Sequence, residues 1–297
     1  MLTKVPSLRG RSARRAFAAF LVGGLLWSAG AAAHEEPSNQ IVALTRQIAA
    51  EPGNAVLYLR RGELYRLDRE LTAALADYAR ARGLDPGLVV ADLGAGRALL
   101  EAGRPREAKR LLERYVRARP ADAEGRLELA RALVGLHATN AADAQYGRAI
   151  ALTPQPRPDL YFERARLLQA AGRLSAAIRA LDDGIARLGQ LASLEELAIE
   201  MELARKNFEG ALARLDRIFP PNARQEARLV RRGEILAAAG RSTEARETFR
   251  RAQRAIESLP PRLRQTRAVQ KLEGRMRSSL ESLRAAGSKK ETTDAKS

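Results

Sequence analysis

The side chains able to do catalytic or metal chemistry are few in this chain, and they do not cluster in the sequence. The 297 residues contain two histidines, His34 and His137, and no cysteine. No H-E-x-x-H zinc motif, G-x-S-x-G nucleophile elbow or G-x-x-x-x-G-K-[ST] phosphate loop occurs. The neighbouring carboxylates Glu195 and Glu196 stand in a charge-rich stretch, without the apolar surroundings that tune a catalytic acid. The sequence therefore predicts a non-enzymatic protein with no cofactor and no metal site.

A second kind of chemistry is indicated by arginines at regular spacing, each with an apolar residue four positions earlier. The candidate peptide-binding residues are Arg97, Arg131 and Arg166, with Leu93, Leu127 and Phe162 before them. Residues four apart on a helix lie on one face. An apolar strip beside three guanidinium groups suits an extended peptide that carries acidic groups or a free carboxylate, held by bidentate pairs.

Two alternatives to this arginine ladder stay open. Glu128 and Glu163 stand three residues before Arg131 and Arg166, within pairing distance on a helix, and could neutralise them. The chain also holds 45 arginines, so a run of three in one repeat position arises easily by chance.

Small residues recur with the same period of about 34 residues, and this repeat indicates how the arginines are positioned. One series is Gly62, Gly96, Ala130, Ala165, Ile199 and Gly233; a second, twelve residues later, is Ala74, Ala108, Ala142, Ala177, Ala211 and Ala245. Pro86, Pro120 and Pro154 end the first three units. Two helices approach closely only where a side chain is small, and proline stops the second helix. Each unit is therefore predicted to be a helix pair, such as 56–67 followed by 71–82.

The order of small, aromatic, alanine and proline positions, with stretches such as "GRPREAKRLLERYVRARP", resembles the tetratricopeptide repeat. The resemblance covers about six units and implies an all-α fold, a right-handed superhelical solenoid of antiparallel helix pairs with terminal capping helices. The fifth unit departs from the pattern, because Ile199 occupies the close-contact position. The third unit has His137 where other units have a glycine-containing turn.

The predicted organisation follows from this period. It comprises a signal peptide at 1–33, an N-terminal capping helix at 34–54, six repeats at 55–258, a C-terminal capping helix at 259–285 and a disordered tail at 286–297. Such caps cover the open ends of a solenoid.

The first 33 residues have the order of a secretory signal. Five basic residues and no acid precede an apolar run, and small residues at Ala31 and Ala33 predict cleavage near Ala33–His34. The predicted location is periplasmic or secreted, with no transmembrane span after cleavage. A retained signal anchor is the alternative.

The net charge of +17 falls to +12 after removal of the five basic leader residues. This surplus favours either a surface for polyanions or an arginine-rich genome composition. Nucleic acid is disfavoured by the export signal and by an aromatic content of only 4%.

The predicted function combines these observations with the resemblance. It is a non-catalytic scaffold of the cell envelope that binds a protein or an extended peptide on its concave face. The alternative is a basic envelope protein that binds acidic polysaccharide or an anionic lipid surface. The oligomeric state is left open.

Overall fold

The computed structural model describes residues 37–219 and 225–294, with side chains for residues 38–219 and 225–285. The predicted signal peptide at 1–33, and with it His34, lies outside the described residues. The helices of the described part are α1 (Pro37–Ala50), α2 (Ala55–Leu67), α3 (Leu71–Leu84), α4 (Val90–Glu101), α5 (Pro105–Ala118), α6 (Ala123–Gly135), α7 (Thr139–Leu152), α8 (Pro158–Ala170), α9 (Leu174–Leu188), α10 (Ala192–Ala204), α11 (Phe208–Ile218), α12 (Gln225–Ala238), α13 (Ser242–Glu257), α14 (Pro261–Arg264) and α15 (Arg267–Asp294).

The twelve helices from α2 to α13 form six consecutive pairs, in each of which the two helices pack on one another. The second helix of each pair then packs on the first helix of the next. Helix α1 covers α2, and α15 packs on both α12 and α13. The all-α fold of stacked helix pairs predicted from the sequence is confirmed, and the described residues contain no strand. None of the described helices is long and apolar enough to cross a membrane.

The small residues lie where the helices of a pair cross. All six alanines of the second series have no exposed surface. A Cβ atom placed on Gly96 would lie 2.6 Å from the Leu112 side chain, and one on Gly233 would lie 2.5 Å from the Phe249 ring. These two crossings leave no room for a larger side chain, which is a physical reason for small residues at this repeat position.

The turn inside each pair uses one backbone conformation in all six repeats. Gly103, Gly172 and Gly240 have φ between 69° and 75°, and Arg69, His137 and Lys206 have φ of 66°, 57° and 61° at the equivalent positions. This left-handed conformation closes the first helix and is normally taken by glycine. The turn at His137, which departs from the glycine pattern in sequence, thus keeps the geometry of the other turns.

We expect Lys206→Gly to raise the free energy of unfolding by about 0.5–1 kcal/mol, because glycine removes a left-handed strain of about 1–2 kcal/mol at some entropic cost in the unfolded chain. The reciprocal control, Gly172→Lys, should lower stability by about 1–2 kcal/mol. Urea denaturation followed by circular dichroism measures both, and a loss of stability in Lys206→Gly would contradict the argument.

The fifth repeat is the irregular one in structure as in sequence. Ile199 is fully buried at the close-contact position. In the same repeat, the Arg214 guanidinium lies 2.7 Å from Asp182, 3.1 Å from Glu195 and 3.5 Å from Glu202. The side chains of Arg214 and Glu195 are only 7% and 1% exposed. A buried ionic cluster thus lies among the apolar contacts between α9, α10 and α11.

The last helix closes the array. Val269, Met276 and Leu283 are buried at seven-residue intervals along α15. The Arg275 guanidinium donates to the Glu234 carboxylate of α12 at 2.8 Å. The helical backbone runs to Asp294, whereas the sequence predicted the cap to end at residue 285.

Candidate functional site

An open groove runs across α2, α4 and α6. Its volume is about 880 Å³. It is lined by Arg66, Arg97, Leu100, Glu101, Gly103, Pro105, Glu124, Glu128, Arg131, Val134 and Gly135. We call the surface lined by these residues the first groove. Because α2, α4 and α6 are the first helices of three consecutive repeats, the equivalent face of each helix lines the groove.

The structure separates the predicted arginine ladder into two kinds of site. Arg97 and Arg131 line the first groove. Arg166 lies one repeat further on, exposed on α8, and no described acid forms an ion pair with it. The three arginines therefore share a repeat position but not a common environment.

The apolar residues predicted beside the ladder lie deeper than a ligand strip would. Leu93 is buried, with 6% exposure, and packs in the core with Leu112 and Leu129. Leu127 and Phe162 are half-buried and pack against the core of the fourth repeat. Leu127 also lines a separate cavity of about 270 Å³, together with Arg157. Leu93 offers almost no surface to a ligand.

Acidic residues meet both ladder arginines of the groove. The anticipated pair of Arg131 with Glu128 forms, whereas Glu163 pairs with Arg131 and not with Arg166. Arg97 forms ion pairs with Glu124 and, at 3.4 Å, with Glu128. Arg131 lies 3.1 Å from Glu128 and 2.7 Å from Glu163. The pairs of Arg97 with Glu124 and Glu128, and the pair of Arg131 with Glu163, each join one repeat to the next. The groove wall is therefore a row of alternating charges rather than a purely basic surface.

The row begins one repeat earlier. Arg66 forms ion pairs with Glu63 on its own helix and with Glu101 of α4, the latter at 2.6 Å. The Tyr78 hydroxyl donates to Glu63 at 2.6 Å. Burial acts to raise the pKa of Glu63, but the hydrogen bonds from Arg66 and Tyr78 outweigh it, and the pKa of this carboxyl is lowered.

Glu163, three repeats later on α8, also accepts hydrogen bonds from an arginine and a tyrosine. Burial acts to raise its pKa, while hydrogen bonds from Arg131 and from the Tyr146 hydroxyl at 2.9 Å lower it by more, so its pKa is below the usual 4.5. A carboxyl with a lowered pKa in the folded state stabilises the fold above its unfolded pKa, and loses that contribution as the pH falls through the folded value.

We therefore expect the stability of the chain to decrease as the pH falls below about 4.5, with Glu163 as one contributor. In Glu163→Gln this part of the pH dependence should be missing, so the difference in unfolding free energy between pH 7 and pH 3 should be smaller than in the unchanged chain. Urea titrations at the two pH values measure the difference. An unchanged difference would contradict the role given to Glu163.

Sequence reasoning missed the apolar residues that face the first groove. Leu100 and Val134 line it, four residues after the close-contact positions Gly96 and Ala130, and Pro105 joins them from the next turn. Positions three after and four before an arginine share its helical face. The apolar residues four positions before the arginines pack against neighbouring helices. The apolar residues that face the groove are those three positions after Arg97 and Arg131. An inspection of the positions on both sides of each arginine would have found them.

Two guanidinium nitrogens of the described residues are buried without a hydrogen bond of good geometry. One is Nη2 of Arg97, which contacts the Glu124 carboxylate as an ion pair. The other is Nε of Arg231, in a groove of about 660 Å³ formed by α10, α12 and α15.

Comparisons with known proteins agree with the helix-pair architecture. Residues 65–132 match the family model described as tetratricopeptide repeat. The structure of YrrB, a tetratricopeptide-repeat protein, matches with 26% identity and a TM-score of 0.50, over 59% of this chain and 90% of that one. A tetratricopeptide repeat protein from Parabacteroides merdae matches with 16% identity and a TM-score of 0.50, over 81% and 92% of the two chains. PilW, a type IV pilus biogenesis factor, matches with 20% identity and a TM-score of 0.51, over 61% and 84%. No curated protein matches the chain at the sequence level.

Proposed function

Because this chain is a tetratricopeptide-repeat protein, we propose that it is a non-catalytic scaffold of the cell envelope that holds a protein or an extended peptide in the first groove. Repeats of this family generally serve as protein-interaction modules, and the coarse function follows from that. The groove, the peptide and the location are the parts that we propose.

The observation that carries the proposal is the composition of the first groove. Helices α4 and α6 present apolar surface from Leu100 and Val134 beside arginines already held in place by ion pairs. A preformed surface binds with a smaller entropic cost than one that must be ordered. Alternating charges suit a peptide that carries both an acceptor for the arginines and a cation or backbone N–H for the glutamates.

Two further facts support a peptide and an envelope location. The protein YrrB, which shares the fold, is described as having an unusual peptide-binding site. The basic, apolar and small-residue order of residues 1–33 favours export, with cleavage near Ala33–His34.

The experiment compares the unchanged chain with Val134→Asp and Leu152→Asp in crosslinking capture from an envelope extract. Val134 lines the first groove and is 36% exposed, whereas Leu152 is 39% exposed on α7, outside it. Both variants add one acid at an exposed aliphatic position. We expect one discrete partner to be captured by the unchanged chain and by Leu152→Asp, and its recovery to fall at least about tenfold with Val134→Asp, because a desolvated charge replaces an apolar contact.

Equal capture by all three proteins would exclude the first groove as the binding site. Capture of many proteins that depends only on low salt would favour the basic polyanion-binding alternative. The variant Arg166→Glu, which breaks no described ion pair, separately tests whether the exposed end of the arginine ladder contributes.

A further inference from the structure

The positive charge of the array is concentrated at its carboxyl-terminal end. Between residues 250 and 271 stand seven cations and one acid, Glu257. The cations are Arg250, Arg251, Arg254, Arg262, Arg264, Arg267 and Lys271, and every one is exposed. We call residues 250–271 the basic corner, since they comprise the end of α13, the turn containing α14 and the start of α15.

The cations of the basic corner are unpaired, in contrast to their neighbours. On either side of the corner, Arg241 pairs with Glu209 and Glu244, and Arg275 pairs with Glu234. Within the described part of the chain, no acid forms an ion pair with any of the seven. Their charge is therefore not neutralised within the described part of the fold and is available to an external partner.

An exposed apolar residue lies in the middle of the basic corner. Leu263 is 40% exposed and lies between Arg262 and Arg264, two residues after Pro261. Arg250 with Arg254, and Arg267 with Lys271, are pairs four residues apart on the two flanking helices, so each pair projects from one helix face. An exposed leucine surrounded by cations has the two features that an anionic bilayer surface recognises.

From this arrangement we propose that the basic corner docks on an anionic lipid bilayer, with the cations against the headgroups and Leu263 in the interface. A nucleic acid fits less well, because base stacking needs exposed aromatic rings. The one aromatic side chain between residues 242 and 285 is Phe249, which is 1% exposed. The corner lies on helices other than those of the first groove, so a bound peptide and a bilayer would not compete for the same residues.

The test uses the absence of cysteine from the chain. Leu263→Cys in the full chain carries a polarity-sensitive fluorophore, and Ala141→Cys, exposed on α7, carries the same label as a control position. We expect vesicles containing phosphatidylglycerol to brighten and blue-shift the label at 263 but not the label at 141. Vesicles of phosphatidylcholine alone should leave both unchanged, and added salt should reduce the response.

Matched charge variants then test where the attraction arises. Arg262→Gln/Arg264→Gln/Arg267→Gln should weaken the response of the label at 263 at least about tenfold, since each cation near such a surface contributes measurably. Arg106→Gln/Arg110→Gln/Arg117→Gln on α5 removes the same charge from exposed residues without described ion pairs, and should weaken it less than about threefold. Circular dichroism confirms that both variants keep their helices.

The proposal is overturned if the label at 263 does not respond to anionic vesicles, or if both charge variants weaken the response equally. A response to inorganic polyphosphate with none to vesicles would equally overturn it, and would assign the corner to a soluble polyanion. None of these outcomes bears on the first groove, which is tested by capture with Val134→Asp.

Discussion

Replacement of Arg214 by methionine is expected to lower the free energy of unfolding by about 3–5 kcal/mol, the typical cost of removing one partner from a buried ion cluster. The Arg214 side chain is 7% exposed and reaches Asp182, Glu195 and Glu202. Without it, Glu195, which is 1% exposed, keeps Arg217 at 2.6 Å, and Glu202 keeps Arg205 at 2.7 Å. These two buried carboxylates would then lose the cation that they share, whereas Asp182 is 47% exposed and would be solvated.

The control for Arg214→Met removes the charges together. In Arg214→Met/Glu195→Gln/Glu202→Gln no excess negative charge is left, and we expect at least half of the lost stability to return, because the desolvation cost of the carboxylates disappears with their charge. Urea denaturation by circular dichroism at pH 7 measures both variants. A loss below about 1 kcal/mol for the single variant would show that the cluster is screened like a surface pair.

The second large effect concerns two glycines with opposite expected signs. Gly233→Ala places a Cβ atom 2.5 Å from the rigid Phe249 ring, and we expect it to cost about 1–3 kcal/mol, as overpacking of a core does. Gly274→Ala adds the same atom on α15, where nothing lies within 4 Å, and should stabilise by about 0.5–1 kcal/mol through helix propensity.

Thermal and urea unfolding of the two alanine variants against the unchanged chain measures this difference in sign. The pair is informative because the chemical change is identical and only the surroundings differ. If both variants were stabilised, the close approach at Gly233 would be relieved by a small shift of α13, and the period of small residues would owe less to steric fit than we argue.

The helix pairs could be predicted well from the sequence because the period of small residues has a direct physical cause. Glycine or alanine at positions such as Gly62, Gly96 and Gly233 follows from the crossing of two helices, and the crossing follows from the stacking of pairs. The turn conformation at Lys206 could not be read from its residue type, since only comparison with Gly172 and Gly240 in the same repeat position suggests it.

The candidate site was predicted less completely, for reasons that the geometry makes clear. A repeat position indicates which helix face a residue occupies, and Arg97 and Arg131 both line the first groove. It does not indicate which neighbour covers that face, so Leu93 was expected in the open and lies in the core. The repeat position also does not indicate which charges are neutralised by ion pairs within the fold. Arg131, for example, pairs with Glu163 in the next repeat, 32 residues away.

The ion pairs that cross from one repeat to the next have a consequence for how the chain folds. The bonds described above join residues that are close in sequence, up to 41 residues apart for Arg275 and Glu234. Proteins dominated by such local contacts fold fast, and a stacked array can begin to fold at any repeat. A chain that emerges gradually, as the proposed export would require, can therefore complete each repeat as soon as the next one appears.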